Sequence, residues 1–312
     1  MLSRRSVRIK VMQLLYAMNR DKSLSFAKTK DNYWRGIENT FELFLFCLFA
    51  IIQITRVAVE ERDKRKSKYL PGQQDKEFTA ILFENSLIQD LLKNQDLSRY
   101  FSKYGFAERI DKDLCRNIYS EFTKQKEDYL EWACSPQDDE SVLETLLALF
   151  RFCRRNETFI ELVENQFAHW EDVNSEVVGA IKKALKSLPS PNRTFFMEFY
   201  PTDDTIKNFG EELLTKVHEE DPELLALIKP ALKNWDFERV AVIDMLIIKM
   251  ALCELLFFES IPTKVTLNEY VDLAKTYSTE KSKEFTNGVL DRLMKDLQNA
   301  GRIKKTGSGL LE

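Results

Sequence analysis

The sequence predicts an all-α fold, and three observations carry that prediction. Only nine glycines and eight prolines punctuate 312 residues, too few for the turns that a β or doubly wound architecture consumes. Leucine, glutamate, lysine and phenylalanine dominate, as in mostly helical chains. Apolar residues recur every three or four positions along most of the chain. Apolar residues make up 44%, enough core for one large domain or two ordinary ones, and 31% charged residues keep the surface solvated.

Taken in order, Ser3 caps a first helix that runs to about Asn19, with Lys22 to Asp31 as a polar connector. One long helix follows from Tyr33 to about Lys68. Its middle, Leu43 to Ile52, lacks any polar side chain; it is too short to span a bilayer and reads as a core helix. The charged run Glu60 to Lys68 reads as its solvated end, and Pro71-Gly72 stops it. Further helices are expected over Phe78–Lys93 and Glu108–Trp132, from Ser135-Pro136 to about Arg154, and over Thr158–His169 and Val173–Leu188. Thr202-Asp-Asp starts a helix to about Glu219, and Asp221-Pro222 starts one that Pro230 ends or kinks. After Asn234-Trp235-Asp236 comes a strong helix, Phe237 to Phe258. Thr266-Leu-Asn-Glu269 has the form of a capping box, opening a helix to about Tyr277. The last helix runs from near Glu280 to Ala300, with Gly301 as its stop. Within it the spacing of Phe285, Val289, Leu293 and Leu297 outweighs the hairpin signal of Asn287-Gly288, and Gly288 then marks a close helix approach.

The net charge of −4 excludes a globally basic nucleic-acid binder but not a local patch. Five cysteines, odd in number and never spaced C-x-x-C, read as reduced, buried thiols of a cytoplasmic protein. Gln13 and Asn19 interrupt the apolar run that a secretory signal needs. There is no P-loop, no G-x-G-x-x-G and no cysteine–histidine metal spacing, so neither cofactor nor metal is expected. His169 and His218 read as structural or surface residues, and Asp138-Asp139 and Asp203-Asp204 as helix-start acids. These absences favour a binding protein over an enzyme.

The first twenty residues run against the acidic average: Arg4, Arg5, Arg8, Lys10 and Arg20 are basic and none is acidic. Arg4, Arg5 and Arg8 gather on the first two turns of a helix, where positive charge opposes the helix dipole. Phosphate is the expected partner, with Lys10 and Gln13 on neighbouring angles. Tyr16 either stacks on a base or packs in a second stripe with Ile9 and Met12. Lys281 and Lys283 are further candidate phosphate contacts. Phe285 belongs to the core stripe by periodicity. Asn268, Glu269 and Asn287 read as architecture.

Both ends of the chain resemble the NusB family of transcription antitermination factors. The likeness lies in Arg4-Arg5-Ser-Val-Arg8 followed by Gln13-Leu-Leu15-Tyr16, and in Ala251-Leu-Cys-Glu254-Leu255. It continues through Ile261-Pro262, Lys264-Val265-Thr-Leu-Asn268-Glu269 and Leu273-Ala274-Lys275, and closes with Phe285-Thr-Asn287-Gly288-Val289-Leu290-Asp291. The resemblance implies an all-helical bundle and a non-enzymatic role. It also implies that the chain pairs with ribosomal protein NusE, binds single-stranded boxA-type RNA and joins elongating RNA polymerase, chiefly in ribosomal RNA transcription. By the same resemblance Phe285 lies near the RNA surface, a second reading beside the core stripe. Residues 1–20 and 235–300 are then the RNA-binding core, 21–234 a large helical insertion packed on it, and 301–312 a flexible basic tail. One departure is Ile9-Lys10, where the family often carries an acid. Two other readings compete: a helical protein–protein scaffold, and a relative of the NusB-like domain of RNA cytosine methyltransferases. Against the second, no Pro-Cys nucleophile motif follows the NusB-like blocks.

Overall fold

A computed structural model describes residues 1–232, 239–279 and 281–310, and among these there are helices and no strands, as the composition predicts. The chain forms two compact units: Met1 with Glu38–Tyr200, and Leu2–Ile37 with Pro201–Glu312. The boundaries expected at residues 20 and 235 therefore fall inside the second unit.

Helix α1 spans Arg4–Arg20, and the Ser3 hydroxyl accepts from the Ser6 amide as its cap. Helix α2 spans Phe26–Lys66. It begins earlier than expected because the Ser25 hydroxyl accepts from the Lys28 amide, which shortens the connector. It is long and apolar enough to cross a membrane by composition, yet Phe41, Leu43 to Leu48, Ile51, Ile52 and Ile54 are all buried within their unit.

In the first unit α2 is followed by α3 (Gln73–Glu77), α4 (Ser86–Lys93), α5 (Gln95–Lys103), α6 (Phe106–Arg109) and α7 (Lys112–Gln125). Then come α8 (Tyr129–Cys134), α9 (Asp139–Cys153), α10 (Glu157–Gln166) and α11 (Trp170–Lys186). Two expected helices are subdivided by short polar residues that bond the backbone in place of the helix ladder. Asn85 caps α4 through the Ile88 amide, so Phe78–Lys93 is helical only in its second half. Asp111 caps α7, and turns at 110–111 and 126–128 split Glu108–Trp132. Helix α9 is capped by Asp138 rather than Ser135.

In the second unit α12 (Asp203–Thr205) passes through a π-turn (Ile206–Glu211) into α13 (Glu212–Glu219). Helices α14 (Asp221–Ala231), α15 (Val242–Phe257), α16 (Thr263–Tyr277) and α17 (Ser282–Asn299) complete it. Pro230 stands one residue before the end of α14. The expected lead-in Asn234-Trp235-Asp236-Phe237 and the expected start at Glu280 lie outside the described residues. Helices α15, α16 and α17 pack on one another, and α1 lies against α15, α13 and the π-turn. A Cβ on Gly210 would overlap the Tyr33 hydroxyl and Val7, so the π-turn, α1 and the start of α2 meet at a residue without a side chain.

Three expectations are corrected here. Thr266 does not cap α16, which starts at Thr263; its hydroxyl instead donates to Glu254 inside the core. Gly288 faces open space and marks no close approach. The tail is docked through residue 306: Arg302 pairs with Glu223, Lys305 donates to the Phe258 carbonyl at 2.9 Å, and the Thr306 amide donates to the Glu259 carbonyl. Gly301, at φ 64°, ends α17 as expected, with its own amide bonded to Gln298 and that of Arg302 to Leu297.

Candidate nucleic-acid interface

Helix α1 carries the densest set of expected site residues, and the structure sorts them by depth. Val7, Ile9, Val11, Met12 and Leu15 are buried. Arg8 lies on that buried side and is only 2% exposed. Its Nε donates to Glu254 Oε2 at 2.9 Å, and a terminal nitrogen donates to Oε1 at 2.8 Å. Glu254, 0% exposed on α15, also accepts from the Thr266 hydroxyl at 2.8 Å and the Tyr270 hydroxyl at 3.0 Å. The Arg8 guanidinium lies over the rings of Phe209 and Tyr270, at 5.0 and 5.6 Å. Burial acts to lower the pKa of Arg8, but the bonds to Glu254 and the nearby Tyr270 and Glu269 outweigh it, so Arg8 stays firmly protonated. Burial, then the Glu254 charge, raises the Tyr270 phenol well above its ordinary value. The expectation that Arg8 contacts RNA is therefore overturned, because water and ligand cannot reach a guanidinium enclosed in this way.

The other two arginines of the cluster are partly exposed and also paired. Arg4 reaches Asp204 at 3.0 Å, and Arg5 reaches Asp272 at 3.3 Å with Glu269 at 3.8 Å. Among the described residues three guanidinium groups thus face four carboxylates, counting the Glu254 and Glu269 partners of Arg8. The N-terminal end of α1 is paired throughout, with Arg8 enclosed and the outer edges of Arg4 and Arg5 still open to solvent.

Outward-facing groups appear further along the helix. Gln13, Tyr16 and Arg20 are exposed and fall at i, i+3 and i+7 on one face, with Lys10 half-buried one turn before. Tyr16 is 40% exposed, so its ring presents an open face instead of completing a core stripe. Lys281 and Lys283 are exposed at the start of α17, which packs on α15 and α16. Phe285 is buried with Val289 and Leu293, which decides between its two readings in favour of the core. His218 stacks on Phe26 with ring centres 4.1 Å apart, and His169 Nε2 lies 3.4 Å from the Thr40 hydroxyl, so both are structural. Among the described residues no cluster of metal-ligating side chains occurs.

Sequence reasoning missed the carboxylates that receive the arginines. Two signals were available. Glu254 is the lone acid in Lys249 to Phe257, where a charge must have a partner. Arg8, Met12 and Leu15 share helical spacing, which places Arg8 on the inner side.

The NusB family model matches residues 176–295. Curated relatives carry the name transcription antitermination protein NusB. That of Salinibacter ruber is 39% identical over 109 residues, which are 35% of this chain and 68% of the relative. That of Methylacidiphilum infernorum is 38% identical over 101 residues, 32% of this chain and 71% of the relative. That of Chloroherpeton thalassium is 33% identical over 110 residues, but the match spans only 52% of its length. No solved structure matches the chain. The family match includes the C-terminal blocks and stops short of Met1–Arg20 and of most of the first unit.

Proposed function

This chain belongs to the NusB family, and from that premise we propose that it is a non-enzymatic, cytoplasmic RNA-binding transcription antitermination factor. It binds single-stranded boxA-type RNA together with NusE and acts on elongating RNA polymerase, chiefly in ribosomal RNA transcription. The observation that carries this reading is the 39% identity to a protein named for transcription antitermination. The outer face of α1 supports it physically. Tyr16 offers a stacking platform, Gln13 a hydrogen-bonding amide, and Lys10, with the exposed edges of Arg4 and Arg5, offers positive charge. Lys281 and Lys283 at the start of α17 extend the phosphate contact. Arg8 serves as a positioning residue that holds α1 on α15, and Phe285 is a buried residue of α17.

The test is a fluorescence-anisotropy titration of boxA-type RNA with the full chain and NusE. Tyr16→Ala removes a stacking interaction of about 1–3 kcal/mol, so affinity falls about 5- to 150-fold. Replacing Lys10, Lys281 and Lys283 by glutamine reduces the salt slope by about 0.7 for each phosphate that is no longer neutralised. Unchanged affinity and slope in both variants would remove these residues from the interface.

A further inference from the structure

The first unit contains a feature that the α1 reading does not use. Half of its ten arginines are ion-paired: Arg62 with Glu84, Arg65 with Glu61 and Asp75, Arg99 with Asp96, Arg109 with Glu42, and Arg116 with Glu60. Of the others, Arg56 lies over the Phe83 ring and Arg193 stands apart in sequence, while Arg151, Arg154 and Arg155 are clustered. They fall within five residues at the end of α9, and among the described residues no carboxylate lies within ion-pair distance of any of them. The helix dipole favours a cation at such an end, but one suffices for that purpose.

Arg151 and Arg155 line an open groove of about 620 Å³ between the second half of α7, the end of α9 and the start of α10. Phe122 and Phe152 form its apolar wall, with ring centres 5.9 Å apart. Phe122 is buried, while Phe152 keeps part of its surface open. Lys126 and Gln125 stand on the opposite rim. Two acids share the groove; Glu121 is engaged by the Asn156 side-chain amide at 2.7 Å, and Glu157 lies in the first turn of α10. Free guanidinium groups beside a partly open phenyl ring match a phosphate chain carrying bases. An acidic peptide would use the charge but not the ring.

We propose that this groove is a second binding site for single-stranded RNA, with Arg151 and Arg155 on phosphates and Phe152 against a base. The choice of RNA as ligand rests on the antitermination role above; the groove itself stands on residues outside 176–295 and is independent of α1. A factor with two such sites would hold a longer stretch of transcript than the α1 face alone.

The experiment titrates the full chain with a labelled oligouridylate twelve-mer across a range of salt, and maps ultraviolet crosslinks by mass spectrometry. In Arg151→Gln/Arg155→Gln the salt slope falls by about 1.4, equivalent to about 25-fold weaker binding near 0.1 M salt if the two contacts are purely electrostatic. Arg151→Lys/Arg155→Lys, which keeps the charge, retains most of the slope and controls for folding. Crosslinks appear at Phe152 and persist in Tyr16→Ala, so failure of the groove and failure of the α1 face are read separately. The proposal is overturned if the glutamine variant binds with unchanged slope, or if crosslinks map only to α1. It is also overturned if polyglutamate binds the wild-type chain as tightly as the RNA and loses as much on the glutamine variant, which would make the groove a site for acidic peptides.

Discussion

Removing the Arg8 side chain tests the central physical argument about α1. The Glu254 carboxylate is fully buried and accepts four hydrogen bonds, two of them from Arg8. Arg8→Ala leaves a buried charge with only the two neutral donors Thr266 and Tyr270, a situation that costs about 3–5 kcal/mol. With a urea dependence of about 2 kcal/mol per molar for a unit of this size, the midpoint of the second unit falls by about 2 M. Two compact units make a single unfolding free energy ill-defined, so the measurement is hydrogen exchange in urea, followed on peptides from α1, α15 and α16. The companion variant Arg8→Met/Glu254→Leu removes both charges together and recovers much of that loss, short of the cost of leaving the Thr266 and Tyr270 hydroxyls without their acceptor. Because Arg8 is enclosed, the companion variant keeps its RNA affinity. A loss below about 1 kcal/mol for Arg8→Ala would refute the buried-charge reasoning, and loss of RNA affinity in the folded double variant would restore Arg8 to the interface.

Two further outcomes follow from the same kind of reasoning. Gly210→Ala forces a methyl group against Tyr33 and Val7 and breaks the bond from the Tyr33 hydroxyl to the Ile206 carbonyl, now 2.6 Å long; a destabilisation of about 1–3 kcal/mol is expected in thermal melts. Burial pushes the Cys47 thiol up to about 12 and the Cys115 thiol up to about 11, from an ordinary 9.0. Iodoacetamide at neutral pH therefore modifies the partly exposed Cys134 first, and the remaining four thiols only on unfolding. These folded-state thiols keep their protons where the unfolded chain has lost them. Their contribution is complete below pH 9 and declines above it by about 1.4 kcal/mol per pH unit per thiol, which alkaline unfolding of the Cys47→Ala variant measures by its shallower slope.

Much of the fold is legible because local signals and tertiary demands agree. Ser3 caps α1 as read, the apolar run inside α2 is buried as read, and Gly301 ends α17 with the expected positive φ. Legibility fails where a polar side chain has two possible partners. Thr266 and Glu269 have the spacing of a capping box, yet Thr266 serves Glu254 and Glu269 faces Arg5 and Arg8, contacts made across helices that spacing along one helix cannot reveal. Asn85 and Asp111 interrupt segments whose apolar periodicity runs on, because an Asx side chain offers the backbone a local alternative at each point. The arginine cluster was visible as charge, but its neutralisation depends on residues about 200 to 270 positions away in sequence.

That neutralisation changes what the arginine-rich opening means. A cation in the first turns of a helix opposes the helix dipole, so Arg4, Arg5 and Arg8 need compensation from elsewhere. It comes from Asp204, Glu254, Glu269 and Asp272, all far from α1 in sequence. Exposed pairs of this kind contribute about 0–1 kcal/mol each, too little to explain the arrangement by stability. The forked bond of Arg8 to Glu254 instead fixes rotation and register, since an α1 turned by one residue would bury a guanidinium without a carboxylate. With register fixed, Gln13, Tyr16 and Arg20 are held facing outward together. Arg8 on the inner side thus acts as the fastening, and the outer side of the helix as the proposed RNA face. A substitution at Arg8 should therefore act through unfolding, and one at Tyr16 through affinity alone.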